Sequence, residues 1–380
     1  MIRSHAVAIE SKTSREVLRQ KKAQDDRTQH CRGGQAIAGR PCLTESPSAK
    51  IENSVTAARK SLLRPPALSS GDTIGIVAPA GAVDRAEFAA GEARLRELGF
   101  KLAYSEGIFQ RDMYFAGDAR RRIDELHDMF RAPEVKAIIC ARGGYGTNHL
   151  LPHLDLDLLA SHPKIFCGYS DVTTLTTLFL QRIGLIGFHG PMLAKDFAKA
   201  DGVHIESFLS AVSGTQSWSL GDADSPALQP VRPGTAEGRL YGGCLSLLVA
   251  SLGTPYEIET DDTILFIEDL GERPYRIDRM LMHLKYAGKL DGVRGIIFGE
   301  MKDCGPPAAA DYTLQQVITR VLDDMNIPIA FGLRSGHVSA GNITLPMGVR
   351  ARLTVDDTVQ LDILESATVP QAVETKAGRN

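Results

Sequence analysis

Residues 164–180 read KIFCGYSDVTTLTTLFL, and the fold turns on how this stretch is parsed. The apolar run Ile165, Phe166 and Cys167 stops at Gly168-Tyr169. Ser170 follows, and apolar residues then recur at Val172, Leu175, Leu178 and Phe179. A short apolar run bounded by a glycine reads as a buried strand, and recurrence every three to four residues reads as a helix. The spacing predicts a strand, a sharp turn and a helix, with a serine at the corner. Such a corner can expose a nucleophilic hydroxyl beside backbone N–H groups able to hold an oxyanion. It can also be a plain N-cap, a common use of serine before a helix. On these residues alone both readings stand, and capping has the edge.

Working outward, residues 135–140 (VKAIIC) are a second apolar run, followed by Arg142-Gly143-Gly144-Tyr145-Gly146. Residues 73–78 (TIGIVA) are a third, closed by Pro79-Ala80-Gly81. Helical patterns cover 84–98, with Phe88, Leu95 and Leu98 apolar, and 119–130. Further strands are expected at 100–104 and 185–188, the last leading into His189-Gly190-Pro191. Strands alternating with helices predict an α/β domain, a parallel sheet with helices on both faces. Ligands gather at the carboxyl ends of the strands in such sheets. The glycine turn at 143–146 and Ser170 both fall at such ends.

Pro65-Pro66 marks the start of this domain, expected over 66–213. Residues 214–234 are polar and contain Gly, Pro and Ser, and read as a linker. A second, β-rich α+β domain is expected over 235–365. Its strand candidates lie at 237–240, 263–267, 295–298, 327–331, 342–345 and 351–355, with helices at 243–252 and 276–287. Residues 1–65 lack sustained periodicity and read as a disordered or loosely packed extension, and 366–380 as a tail.

The chain has 380 residues, enough for two domains, and its 43% hydrophobic and 23% charged content is that of a globular protein. A net charge of -3 argues against dedicated binding to nucleic acid or an anionic membrane. The charge is uneven: residues 1–65 hold 13 Lys/Arg against 6 Asp/Glu, so the remainder carries -10. The six cysteines (Cys31, Cys42, Cys140, Cys167, Cys244, Cys304) form no C-x-x-C pair, which suits a reducing compartment. No apolar run approaches the roughly 18 residues of a membrane span, and the N-terminus lacks the apolar core of a signal peptide. A cytoplasmic location is expected.

A serine nucleophile needs a base, and the base an orienting group. Of ten histidines, His337 stands out in the glycine-flanked loop Gly332-Leu333-Arg334-Ser335-Gly336-His337-Val338. His189 is the runner-up, and for either an ordinary hydrogen-bonded loop histidine is an equal reading. His149 and His153 have metal-pair spacing, but Pro152 breaks the helix between them and no carboxylate motif follows. Among acids Glu268 is the first polar residue after the buried run Ile264-Leu265-Phe266-Ile267, where an unpaired charge is costly. A surface ion pair with Arg273, Arg276 or Arg279 is the competing role, and it suits Asp269 and Glu272 better.

Six motifs occur in order: Arg142-Gly143-Gly144-Tyr145-Gly146, Gly168-Tyr169-Ser170-Asp171-Val172-Thr173, His189-Gly190-Pro191-Met192, Tyr241-Gly242-Gly243-Cys244-Leu245-Ser246, LFIEDLGERPYRIDR at 265–279, and Gly336-His337-Val338. Together, over residues 69–361, they resemble the murein LD-carboxypeptidase family, which also contains the microcin C self-immunity peptidases. The resemblance implies a Ser170–His337–Glu268 triad, with oxyanion donors on the backbone of Gly143, Gly144 and Asp171. It implies a first domain similar to class I glutamine amidotransferases and a β-rich second domain bearing the acid and histidine. It also implies a small murein peptide as substrate, no cofactor or metal, a cytoplasmic location and a homodimer. A terminal carboxylate would need a cation, for which Arg142 and Arg239 are candidates, and Tyr145 and Asp171 could touch substrate. Cys244 departs from the Asn common at its position, and the N-terminal extension lies outside the pattern. The alternatives are a microcin-type peptidyl-nucleotide substrate, a catalytically dead peptide-binding protein, and a cysteine hydrolase using Cys140 or Cys167. The 302–312 segment, with Tyr312 its one aromatic, favours murein peptides over nucleotides.

Overall fold

The computed structural model describes residues 61–370. Most of the expected extension at 1–65, and the end of the tail from 371, lie outside the described residues. The first half begins with β1 (Thr73–Val77). Asp84 caps α1 (Arg85–Glu97), its carboxylate accepting the N–H groups of Ala86 and Glu87 at 2.8 and 3.0 Å. After β2 (Lys101–Ala103), Asp118 caps α2 (Ala119–Arg131) in the same way. Then come β3 (Val135–Cys140), α3 (Leu156–Ser161) and β4 (Ile165–Cys167). The corner helix α4 (Thr173–Ile183), β5 (Gly187–His189) and α5 (Ile205–Val212) complete this half. These five strands are parallel in the order β5-β4-β3-β1-β2, as the alternating pattern predicted.

The 214–234 stretch read as a linker contributes two strands, β6 (Trp218–Leu220) and β7 (Gln229–Arg232). The second half continues with β8 (Gly234–Cys244), α6 (Leu245–Ala250), β9 (Thr263–Glu268), α7 (Pro274–Tyr286) and β10 (Val293–Gly299). It ends with α8 (Leu314–Val321), β11 (Ile329–Leu333), β12 (Leu345–Met347), β13 (Arg350–Val355) and β14 (Val359–Ile363). Seven of these strands join β6 to form an eight-stranded sheet missing only β12, in the order β6-β14-β13-β8-β9-β10-β11-β7.

The architecture is mixed α/β with two mixed sheets, and it departs from the sequence reading in two ways. The second half is strand-rich, but its centre is not a simple α+β arrangement. β8, β9, β10 and β11 are mutually parallel and joined through helices. The reason is visible in the burial: β9 and β11 are buried at every position, as strands covered on both faces must be. The first sheet is also not purely parallel. β12 leaves the second half and pairs antiparallel with β5, Leu345 opposite His189.

That exchange ties the halves together. One apolar cluster includes Phe188 of β5, Leu345 of β12, and Leu240 and Phe266 of the second sheet. The carboxyl ends of β3, β4 and β9 are thereby held close. Leu345 is fully buried. Leu345→Ala is expected to destabilise the chain by about 2–5 kcal/mol, seen as a lower urea midpoint. Because the strand links both sheets, the slope with denaturant should stay unchanged, meaning that both halves still unfold together.

Candidate active site

The serine corner is built by backbone strain. Ser170 has φ 64°, in the left-handed region, and opens a single 3-10 turn, Ser170–Val172, between β4 and α4. For a residue with a Cβ this costs about 1–2 kcal/mol. The turn and α4 are capped at Tyr169 and Val172 without any side-chain hydrogen bond. The capping role is therefore unfilled by Ser170, whose hydroxyl makes no hydrogen bond among the described residues. The glycine turn lies against it. A Cβ on Gly143 would sit 2.8 Å from Ser170 Cβ and 3.1 Å from its Oγ, so only glycine fits there.

Two buried side chains missed by the sequence reading fix that turn to the corner. Thr147 donates its backbone N–H to Asp171 Oδ2 and its hydroxyl to the Asp171 carbonyl, both at 2.8 Å. Arg122, from α2, donates from Nη1 to the carbonyls of Pro79 at 2.7 Å and Gly146 at 2.9 Å. Burial pushes the Asp171 carboxyl above its ordinary range, partly offset by the Thr147 hydrogen bonds. The Asp171 side chain is fully buried, with Oδ2 engaged by the Thr147 N–H. Among the described residues, nothing accepts from the N–H groups of Gly143, Gly144 or Asp171.

Across the cleft, Glu268 ends β9 with 1% of its surface exposed. Its Oε2 accepts the His337 backbone N–H at 2.9 Å and bonds to His337 Nδ1 at 2.7 Å. A carboxylate oxygen can only accept, so Nδ1 carries the proton and Nε2 keeps its lone pair. Burial alone would raise the Glu268 carboxyl, but the His337 charge and hydrogen bonds outweigh it and hold it below its ordinary value. For His337 burial works against the charged form, and the Glu268 carboxylate outweighs it, so the imidazole lies above its ordinary value. The two directions agree, and describe one coupled pair.

The approach needs a glycine. Gly336 has φ 88°, and a Cβ there would stand 2.6 Å from Glu268 Cδ. Asn342 clamps Gly336, accepting its N–H at 3.0 Å and donating to its carbonyl at 3.2 Å. The Asn342 amide also approaches Asp196, whose carboxyl is raised to about 6 by burial. Asp196 accepts the Met192 N–H at 2.8 Å and the Tyr169 hydroxyl at 3.4 Å. A buried polar chain thus runs from the residue before Ser170 to the residue before His337. Tyr169 also meets the His337 ring edge-on, centroids 5.1 Å apart. Ser170 and His337 do not hydrogen-bond directly among the described residues. Such contacts are often long without substrate and tighten on binding.

The other candidates separate clearly. His189 is buried between Tyr169 and Phe266, with both ring nitrogens unpartnered among the described residues. Burial lowers its pKa to about 4, which leaves it a neutral ring without an orienting acid. His149 packs edge-on against Phe115 and Tyr145. Arg239 pairs with Thr263 while Cys244 pairs with Glu268. Five residues along a strand place Arg239 roughly 16 Å from the site, where it donates to the Gly348 carbonyl. Cys140 and Cys167 are fully buried and burial pushes both thiols up, the opposite of a reactive cysteine. Cys244 lies at the site's edge, its N–H donating to Thr173 Oγ1 at 3.1 Å. Glu272 pairs with Arg276 at 3.3 Å, whereas Asp269 accepts the N–H groups of Ser246 and Leu270. A cavity of about 550 Å³ opens beside Gly144, with Arg142 and Tyr145 in its wall.

The family model described as "LD-carboxypeptidase N-terminal domain" matches residues 74–190, and "LD-carboxypeptidase C-terminal domain" matches 237–353. The probable murein peptide carboxypeptidase of Bacillus subtilis is 38% identical over 82% of this chain and 97% of that protein. The microcin C7 self-immunity protein of Escherichia coli is 32% identical over 76% and 92%. The crystal structure of muramoyltetrapeptide carboxypeptidase from Oxalobacter formigenes superposes with a TM-score of 0.69. It is 29% identical, over 79% of this chain and 100% of that one.

The coupled pair sets a pH signature. With the imidazole raised, His337 is protonated, and unable to accept a proton, at pH values where a free histidine is already neutral. Glu268→Gln removes the stabilising charge, so the His337 pKa should fall, which NMR titration of the imidazole reads directly. If His337 serves as a base, the acidic limb of activity should move to lower pH, while turnover falls on the order of 10³- to 10⁴-fold. An unchanged titration would mean that the contact is not an ion pair.

Proposed function

The chain belongs to the LD-carboxypeptidase family, and on that footing we propose that Ser170, His337 and Glu268 are the nucleophile, general base and orienting carboxylate of a serine carboxypeptidase. The bond cleaved is the amide between an L-residue and the terminal D-alanine of a murein tetrapeptide. The observation that carries this reading is the buried Glu268–His337 contact at 2.7 Å, with the His337 ring packed against Tyr169, the neighbour of a serine in a strained corner.

In the first half-reaction Ser170 Oγ attacks the carbonyl carbon of the L-residue, and His337 Nε2 takes the hydroxyl proton. The negative charge on the carbonyl oxygen is met by the backbone N–H of Asp171 and those of Gly143 or Gly144. One such donor is worth about 3–4 kcal/mol of the barrier. Collapse of the tetrahedral species breaks the C–N bond, and the proton held by His337 goes to the departing amine of D-alanine. In the second half-reaction water attacks the ester, His337 takes its proton, and Ser170 is released with the proton restored. Glu268 remains ionised throughout and stabilises the imidazolium. One water is consumed and no other reactant enters.

The same reading includes a likeness of the first half to class I glutamine amidotransferases, supported by the parallel strands and the serine corner after β4. It also includes a role in peptidoglycan recycling, a cytoplasmic location and a homodimeric state, each supported by the family resemblance. Among the described residues no helix is long and apolar enough to cross a membrane.

The test is incubation of the full chain with a murein tetrapeptide ending in D-alanine, followed by mass spectrometry. Loss of one D-alanine is expected, and Ser170→Ala should reduce the rate by at least about 10⁴-fold. Retained turnover in Ser170→Ala would remove the serine from the mechanism. Cleavage of a peptidyl-nucleotide analogue in place of the tetrapeptide would move the protein to the self-immunity branch of the family.

A further inference from the structure

A carboxypeptidase must sense that its substrate ends in a free carboxylate, and the triad alone supplies nothing that does so. The cavity of about 550 Å³ beside Gly144 has the missing chemistry. Three segments wall it: 81–84 after β1, 109–114 before α2, and 142–145 after β3. They are stitched together by backbone and side-chain hydrogen bonds. Gly81 N–H donates to the Gly143 carbonyl at 3.0 Å, and Ala82 N–H to the Tyr114 carbonyl at 3.0 Å. Arg142 Nη1 donates to the Ala82 carbonyl at 3.0 Å. The walls are therefore set before any ligand arrives.

Two arginines, Arg111 and Arg142, line this space. Arg142 is held by Ala82, and its Nε is buried without a partner. Arg111 is held by its Nε donating to the Met113 carbonyl at 2.9 Å. The loop that carries it is closed by reciprocal backbone bonds between Asp112 and Phe115, with Met113 at φ 51°. Among the described residues neither guanidinium meets a carboxylate. The one acid in the wall, Asp84, already caps α1. The cavity thus presents two cations against one acid, of which Oδ1 is engaged by two backbone N–H groups. Tyr114 and Tyr145, 56% and 45% exposed, add aromatic surface with ring centroids 6.2 Å apart.

We propose that this cavity is the carboxylate subsite of the enzyme, that Arg111 and Arg142 bind the terminal carboxylate of the peptide, and that Arg111 is a specificity determinant alongside Arg142. Arginine forks suit this role because they meet a carboxylate through two parallel N–H···O bonds. The position suits it as well. Gly144 lines the cavity and Gly143 touches Ser170. The terminal carboxylate is separated from the scissile nitrogen by a single Cα, so it must be bound close to the oxyanion donors. The tyrosines would contact the short apolar side chain and the peptide stem. This inference rests on the peptidase reading of the preceding subsection.

The experiment uses the full chain with Arg111→Gln and Arg142→Gln, and three tetrapeptides: free, amidated at the C-terminus, and amidated only at the side-chain carboxylates. For the free peptide, each variant should raise KM about 10- to 100-fold, as expected for a lost charge-assisted hydrogen bond, with kcat changed less than about threefold. The C-terminal amide should bind wild type poorly, and the arginine variants should not weaken it further. Unchanged KM in both variants, or an equal loss on the free and C-amidated peptides, would overturn the proposal. If only the side-chain-amidated peptide escapes the arginine effect, the terminal assignment is wrong. Calorimetric binding to Ser170→Ala separates this from the catalytic reading. A preference for the free terminus that Arg111→Gln abolishes supports the subsite even if wild type releases no D-alanine. Arg111 is exposed, so its variant should fold, and circular dichroism checks that both do.

Discussion

A carboxylate buried at the end of a strand governs this structure. Glu268 has 1% of its surface exposed, and an isolated charge there would be prohibitively costly. Among the described residues its hydrogen bonds come from His337, whose backbone N–H and imidazole act on the same oxygen. Everything around the pair follows from making that approach possible. Residue 336 must be glycine, because any Cβ would overlap the carboxylate. Asn342 must hold both polar groups of that glycine, since the loop bends too sharply for them to find sheet partners. The contact also fixes the imidazole tautomer, placing the proton on Nδ1 and leaving Nε2 the lone pair.

The opposite wall solves a complementary problem. There the backbone is bent so that a hydroxyl and several N–H groups stay free. Ser170 accepts a left-handed conformation, and among the described residues the N–H groups of Gly143 and Gly144 go without acceptors. Such an arrangement would relax if its neighbours let it. Arg122 and the Thr147–Asp171 pair prevent this by bonding the carbonyls and the carboxylate that flank the turn. The polar chain through Tyr169, Asp196 and Asn342 then joins the two walls from beneath. With β12 crossing from one half to pair with β5, the cleft is framed by elements that are distant in sequence but share one core.

The parts of the fold that the sequence made legible are those with strong local signals. The runs TIGIVA, VKAIIC and IFC, and their alternation with helices, gave the first sheet nearly strand for strand. In the second half the apolar runs were recognised, but their pairing was not, because a fully buried strand looks the same in a parallel or antiparallel setting. The helix α8 escaped notice although Thr313 and Gln316 form a capping box at its start. The short edge strands β6 and β7 carry too few apolar residues to stand out from a connecting segment.

What the sequence determined by itself was the inventory and order of chemical parts: a serine at a strand–helix corner, a glycine turn, an acid ending an apolar run and a histidine between glycines. These are local, because each depends on a few adjacent residues and on backbone conformations only certain side chains permit. Only the tertiary structure decided which of them meet. Arg239 looked as suitable a cation as Arg142, yet strand register holds it midway along β8, five residues before the Cys244 that pairs with Glu268, while Arg111 stands in the same cavity wall as Arg142. His189 and His337 were both loop histidines, and contact with a buried carboxylate distinguishes them. Distance between residues remote in the chain is set by register, crossing strands and shared core packing. None of these is written in any single stretch of sequence, so the choice among equivalent side chains belongs to the folded molecule.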